Sequence, residues 1–119
     1  MITETIRSVL EHEGPAAWVT QGPEGPHLVA TWNSYIQILD DHTLAFPAGG
    51  YRKTEQNLAN GSGAQMIIGA KAPAGIGFLL TGRAALEVDT PVHAQLRSRF
   101  PWCRAAVVFR VTQVEKVLG

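Results

Sequence analysis

The chain has 119 residues, 45% of them hydrophobic and 17% charged, with ten basic and ten acidic side chains that give a formal net charge of zero. That length suits one domain, residues 1–119, with one core. The charge balance argues against a general nucleic-acid binder, which needs an excess of Lys and Arg on one face.

No apolar run approaches the ~18 residues of a bilayer span, so no membrane partner is expected. Glu4 and Arg7 interrupt any signal-peptide pattern. The lone Cys103 cannot form an internal disulfide, in agreement with a reducing compartment. The cytoplasm is the expected location.

In chain order, Ile2, Ile6, Val9 and Leu10 have the spacing of one helix face over Ile2 to Glu13, with Thr3 as N-cap and Gly14-Pro15 as the stop. Ala16 to Thr20 reads as a short strand. The turn Gly22-Pro23-Glu24-Gly25-Pro26 then predicts a hairpin. The return strand, His27 to Tyr35, places Leu28, Ala30 and Trp32 on one side and Val29, Thr31 and Asn33 on the other. Ile36 to Leu39 continues it after a bend, Asp40-Asp41 turns, and Thr43 to Phe46 comes back. Pro47 cannot donate to a central ladder and is expected where that strand ends.

A helix follows from about Arg52 to Asn60, closed by Gly61. Ala64 to Gly69 is an apolar strand, Ala70 to Gly75 a loop, and Ile76 to Val88 a long strand. Asp89 or Thr90 caps a third helix that has Pro91 at its first position and runs to about Arg99. Pro101 breaks it, and Ala105 to Val117 is a final Val-rich strand. About six strands with singly inserted helices do not give the regular alternation of a parallel sheet. The expected class is mainly β, and an antiparallel barrel with short helices at its ends fits better.

The stretch that carries chemistry is Pro47-Ala-Gly-Gly-Tyr-Arg-Lys-Thr-Glu-Gln-Asn-Leu58. Free backbone N–H groups at a helix start, the positive end of the helix dipole, an ammonium and a hydroxyl can converge there on one anion. Gly49 and Gly50 let a bound group approach backbone that carries no Cβ. Arg52 and Lys53 sit unfavourably against the helix dipole, and an anion would explain them. Taken by itself, Gly-Gly before a helix is also an ordinary turn, and Trp32 on an alternating strand also reads as core.

With the strands in place, Thr20-Gln21-Gly22, Gly25-Pro26-His27-Leu28-Val29, Thr31-Trp32-Asn33-Ser34-Tyr35, Pro47 with Gly49-Gly50, Lys53-Thr54-Glu55 with Asn57, Gly77-Phe78-Leu79, and Trp102 with Arg104-Ala105-Ala106 form one pattern over nearly the whole chain. On these residues the chain resembles the small FMN-binding proteins of sulfate-reducing bacteria, within the pyridoxamine 5'-phosphate oxidase-like split-barrel superfamily. The resemblance implies a six-stranded antiparallel split barrel of Greek-key type, and a homodimer with one non-covalent FMN per subunit at the interface; an electron carrier of this kind would work with a redox partner protein. It implies that Lys53 and Thr54 hold the phosphate. Thr31, Trp32, Asn33 and Ser34, with Pro47, Ala48 and Gly49 on the neighbouring strand, would line the ring and ribityl chain. Trp102 and Leu118 would reach the flavin from the other subunit, and Glu13 would lie near it as a charge.

The residue types match the three needs of such a cofactor. A phosphate dianion needs cationic donors. A flat ring needs an apolar wall, here Trp32, Tyr35 and Trp102. The ring's polar edge needs backbone donors, which a strand end beside Gly49 and Gly50 can supply.

Other chemistries fit less well. Arg52 stands where a P-loop needs glycine, and His12, His27, His42 and His93 are scattered without ligand spacing. Ser34 lacks a nucleophile elbow, and Cys103 beside Arg104 is a lone thiol. Three functional readings stay open: a flavoprotein that carries electrons or reduces a small acceptor, an oxidase or flavin reductase with its own substrate, and a split-barrel binding module for haem or a deazaflavin.

Overall fold

The computed structural model describes residues 1–119 and shows a mainly β molecule. Seven strands, β1 (Pro15–Gly22), β2 (Gly25–Trp32), β3 (Gln37–Asp40), β4 (Thr43–Ala48), β5 (Ala64–Ala70), β6 (Ile76–Glu87) and β7 (Ala105–Leu118), form one antiparallel sheet in the order β2-β1-β5-β6-β7-β4-β3. Helices α1 (Glu4–Leu10), α2 (Arg52–Ala59) and α3 (Pro91–Arg99) are inserted singly.

The strand count exceeds the expected six because the run from His27 to Leu39 is two strands. A 3₁₀ turn, Asn33–Tyr35, divides it. Asn33 causes the break: its N–H donates to the Gly14 carbonyl (2.8 Å), and its side-chain amide donates to the carbonyls of His12 (2.9 Å) and Gly69 (3.3 Å). β2 and β3 lie at opposite edges of the sheet, yet only residues 33–36 join them. So short a link requires the edges to approach one another, and the sheet is therefore curled into a barrel that is split along this seam.

The core follows the strand alternation. Trp18, Phe46, Met66, Leu80, Val107 and Phe109 are fully buried, and each such side chain contributes roughly 1.5–3 kcal/mol by leaving water. Trp18 and Phe46 meet edge to face at 5.3 Å. Thr3 caps α1 by accepting from the Ile6 N–H, and α1 is shorter than expected, ending at Leu10. Ile6, Val9 and Leu10 cover one end of the barrel.

Thr90 caps α3 through the His93 N–H, with Pro91 at the first position as expected. Leu96 and Phe100 pack with Ala45, Cys103 and Ala106 in a small second cluster on the outer side of β4 and β7. Pro47 is inside β4, one residue before its end. It pairs with Ala106 of β7, while the ladder to β3 reaches only as far as Ala45, so its missing donor faces no strand.

Candidate functional site

Four segments meet at one cleft of about 250 Å³. Ala30, Thr31 and Trp32 come from the end of β2, Tyr35 from the 3₁₀ turn, Pro47 from the end of β4 with Gly49, Gly50 and Tyr51 from the β4–α2 connection that follows, and Trp102 from the α3–β7 connection. The sheet topology explains the meeting: β2 ends at the seam, and β4 ends beside the first residues of β7, where Ala48 pairs with Ala105. Leu28, Ala30 and Trp32 face outward on β2, whereas Thr31 is buried. Trp32 is 47% exposed and Trp102 51%, more than a core reading of either allows. Tyr35 lies 4.6 Å from Phe100 and 5.9 Å from Trp102 between ring centroids, and with them makes a tilted aromatic wall.

The other end of the cleft is the start of α2. Its N-cap, Tyr51, adopts the left-handed conformation (φ 67°) and offers no side-chain acceptor to the first helical N–H groups. Those donors therefore have no capping side chain, and the positive end of the helix dipole is open at this end of the cleft. Arg52 and Lys53 are exposed in this turn, and Lys53 Nζ lies 3.4 Å from Glu24 Oε2 of the β1–β2 hairpin. Thr54 is fully buried, and its Oγ1 has no hydrogen-bond partner. A Cβ placed on Gly50 would meet nothing within 4 Å. An orphaned hydroxyl, uncapped donors, two cations and an open cradle together fit a phosphate ester.

Around the cleft, the Tyr51 hydroxyl donates to the Ala30 carbonyl and ties the helix start to β2. Burial pushes the Tyr51 phenol pKa up. Arg104 donates through Nε (3.0 Å) and Nη2 (2.7 Å) to the Gly50 carbonyl, and through Nη2 to Glu55 (3.0 Å).

The sequence-predicted residues fall into three groups. Thr31, Trp32, Pro47, Gly49 and Trp102 line the cleft of their own chain; Ala48 is buried behind it, and Lys53 and Thr54 stand at its helical end. Asn33 and Ser34 are structural neighbours: Asn33 locks the seam, and Ser34 donates through its N–H and hydroxyl to Glu13. Those two bonds, the hydroxyl first, hold the Glu13 carboxyl below its ordinary range. Leu118, 58% exposed, lies with Glu13 in a separate cleft of about 450 Å³.

Ala30 and Tyr51 also line the first cleft, and the spacing rules did not single them out. No local signal marks Ala30, because its part is only its outward position on β2. For Tyr51, the one available hint is that it stands between Gly-Gly and a helix.

No family model matches the chain. The FMN-binding protein of Nitratidesulfovibrio vulgaris (strain Miyazaki F) is 42% identical over 123 residues, covering 99% of this chain and 100% of that protein. This chain belongs to that family of small FMN-binding proteins. Solved structures agree on the fold. HupZ of Group A Streptococcus superposes with a TM-score of 0.80 at 15% identity, covering 98% of this chain and 94% of that one. A pyridoxamine 5'-phosphate oxidase-like protein of Lactobacillus delbrueckii gives 0.77 at 16% identity, covering 95% and 92%. No helix of the chain is long and apolar enough to cross a membrane.

Proposed function

We propose that the chain is an FMN flavoprotein of the cytoplasm that carries electrons or reduces a small acceptor. The single observation that carries this reading is full-length kinship with an FMN-binding protein, combined with a cleft that has an aromatic wall at one end and a phosphate-compatible helix start at the other. In this reading Lys53 and the first N–H groups of α2 hold the phosphate, and the Thr54 hydroxyl gains the partner it lacks. Thr31, Pro47 and Gly49 border the ribityl chain and ring edge, and Trp32, Tyr35 and Trp102 bound the ring. FMN, when bound, supplies one- and two-electron transfer; the protein contributes position, exclusion of water and the charge around the ring.

We also propose that two copies assemble with the cofactor between them. A 250 Å³ cleft falls below the roughly 300–1,000 Å³ that usually encloses a ligand of this size, so further cover has to come from elsewhere. Leu28 on β2 and Ile67 on β5, 68% and 41% exposed, lie outward on the same face of the sheet as Trp32, with β1 between them, and are suited to meeting a second copy.

Purification tests the cofactor assignment. The expected product is a yellow protein that releases FMN on denaturation, whereas a colourless protein that rejects added FMN defeats it. Light scattering on the holoprotein tests the dimer. Steady turnover with NADH or NADPH as sole donor would replace the carrier role with that of a flavin reductase.

A further inference from the structure

We propose that Arg104, which lies outside the cleft lining, is the positioning residue of the phosphate seat: it turns the Gly50 carbonyl away and neutralises Glu55, so that the start of α2 offers donors alone to the phosphate. This rests on the FMN reading above and adds a residue that acts through the Gly50 carbonyl and Glu55. The contacts are specific. The Arg104 N–H donates to the Ala48 carbonyl (2.8 Å), while its guanidinium donates twice to the Gly50 carbonyl (3.0 and 2.7 Å). One residue therefore brackets the Gly49-Gly50 turn from both sides.

The Gly50–Tyr51 peptide is trans, and in a trans peptide the C=O and the following N–H point in opposite directions. Holding the Gly50 carbonyl on Arg104 thus sends the Tyr51 N–H to the other side. Gly50 has no Cβ to resist rotation of that peptide. Without the two-pronged contact the unit can reverse and place an acceptor where a phosphate needs a donor.

Charge acts in the same direction. Glu55 is in the first turn of α2, where a carboxylate suits the helix dipole but repels a dianion. Arg104 Nη2, 3.0 Å from Glu55 Oε1, cancels that repulsion, and the Arg104 side chain is only 20% exposed, so solvent screens the pair less than a surface pair.

The test compares FMN with riboflavin, which lacks the phosphate, by fluorescence titration of the apoprotein. Arg104→Ala is expected to weaken FMN at least tenfold and riboflavin less than threefold. Adding Glu55→Gln to it is expected to recover part of the loss, because the uncancelled carboxylate is removed while the freed Gly50 carbonyl remains. Arg104→Lys, which keeps the charge but not the two-pronged donor, is expected to fall between wild type and Arg104→Ala, and it carries the test should Arg104→Ala fail to fold. Wild-type FMN affinity in Arg104→Lys, or equal losses of FMN and riboflavin in Arg104→Ala, overturns the inference. Wild-type protein that binds no FMN overturns the cofactor reading instead, before any variant is compared.

Discussion

Gly49 and Trp102 are packed so closely that a Cβ on Gly49 would lie 3.0 Å from Cε3 of the indole. The glycine is what allows the tryptophan to lie against the β4–α2 turn and form one wall of the cleft. Gly49→Ala must therefore push the ring outward, and the expected result is a loss of FMN affinity of about tenfold, or ~1.4 kcal/mol, together with a changed tryptophan emission spectrum in the apoprotein. Gly50→Ala is the contrasting case. Its Cβ meets nothing in the protein but stands in the proposed phosphate cradle, so thermal stability should stay within about 0.5 kcal/mol of wild type while FMN binding falls. Unchanged FMN affinity in both variants would remove this turn from the site.

In the proposed holoprotein Lys53 stands between two anions. In the protein alone its ammonium lies 3.4 Å from Glu24, in a pair whose side chains are 45% and 80% exposed; an exposed pair of this kind contributes roughly 0–1 kcal/mol. A phosphate dianion at the helix start is the stronger attractor. Lys53→Ala is expected to weaken FMN by about tenfold or more, with little change in unfolding temperature, and Glu24→Gln to strengthen it slightly by releasing the ammonium. Titrations at two salt concentrations check the assignment: the gap between wild type and Lys53→Ala should narrow as salt rises.

The parts of this fold that are local in origin could be read from the residues. Thr3 and Thr90 cap helices through their own neighbours, Pro91 opens α3, and the outward and inward sets on β2 follow from alternation alone. The Gly-Gly turn before α2 marked the helical end of the site for the same reason. What was hidden depends on distant partners. Asn33 divides a continuous β pattern because carbonyls from residues 12 and 69 claim its amide, and nothing in Thr-Trp-Asn-Ser-Tyr announces either of them. The Arg104 contact with Gly50 spans 54 positions, and the left-handed turn at Tyr51 is held by bonds to β2 and to the α3–β7 connection. Hence the glycine turn and the helix start were visible, and the distant contacts that shape them were not.

Glu13 gives a pH signature with a definite sign. The Ser34 hydroxyl and N–H both donate to its carboxylate and lower its pKa from the ordinary 4.5. A carboxyl whose folded pKa is depressed contributes stability above its unfolded pKa and loses it as pH falls through the folded value. The contribution is thus fully present at neutral pH and disappears only in the acid range below 4.5. Ser34→Ala removes the stronger donor, and its expected effect is an upward move of the Glu13 pKa toward its ordinary value, followed by NMR titration of the side-chain carboxyl carbon. Stability at pH 7 should change little, because Glu13 is exposed. An unmoved Glu13 titration in Ser34→Ala would show that the backbone N–H alone sets it.

Gly82 lies where the β6–β7 ladder shifts register between Thr81 and Gly82. A Cβ there would sit unacceptably close to the Arg110 carbonyl oxygen and within 2.9 Å of its carbonyl carbon. These are backbone atoms of the neighbouring strand, which cannot swing aside as a flexible side chain could. β6 and β7 are the longest strands, and their pairing runs from Gly77 to Glu87, with Leu80 and Val111 of the core on either side of the shift. Forcing them apart at this point also loosens the start of β7, where Ala105 and Ala106 pair with the end of β4. Gly82→Ala is accordingly expected to destabilise the fold by at least the ~1–3 kcal/mol typical of overpacking, read from denaturant unfolding of the apoprotein. Added FMN should restore part of the unfolding temperature, since a ligand that binds only the folded state stabilises it in proportion to the logarithm of its concentration over Kd. A Gly82→Ala protein as stable as wild type would mean that the two strands can shift register here without loss.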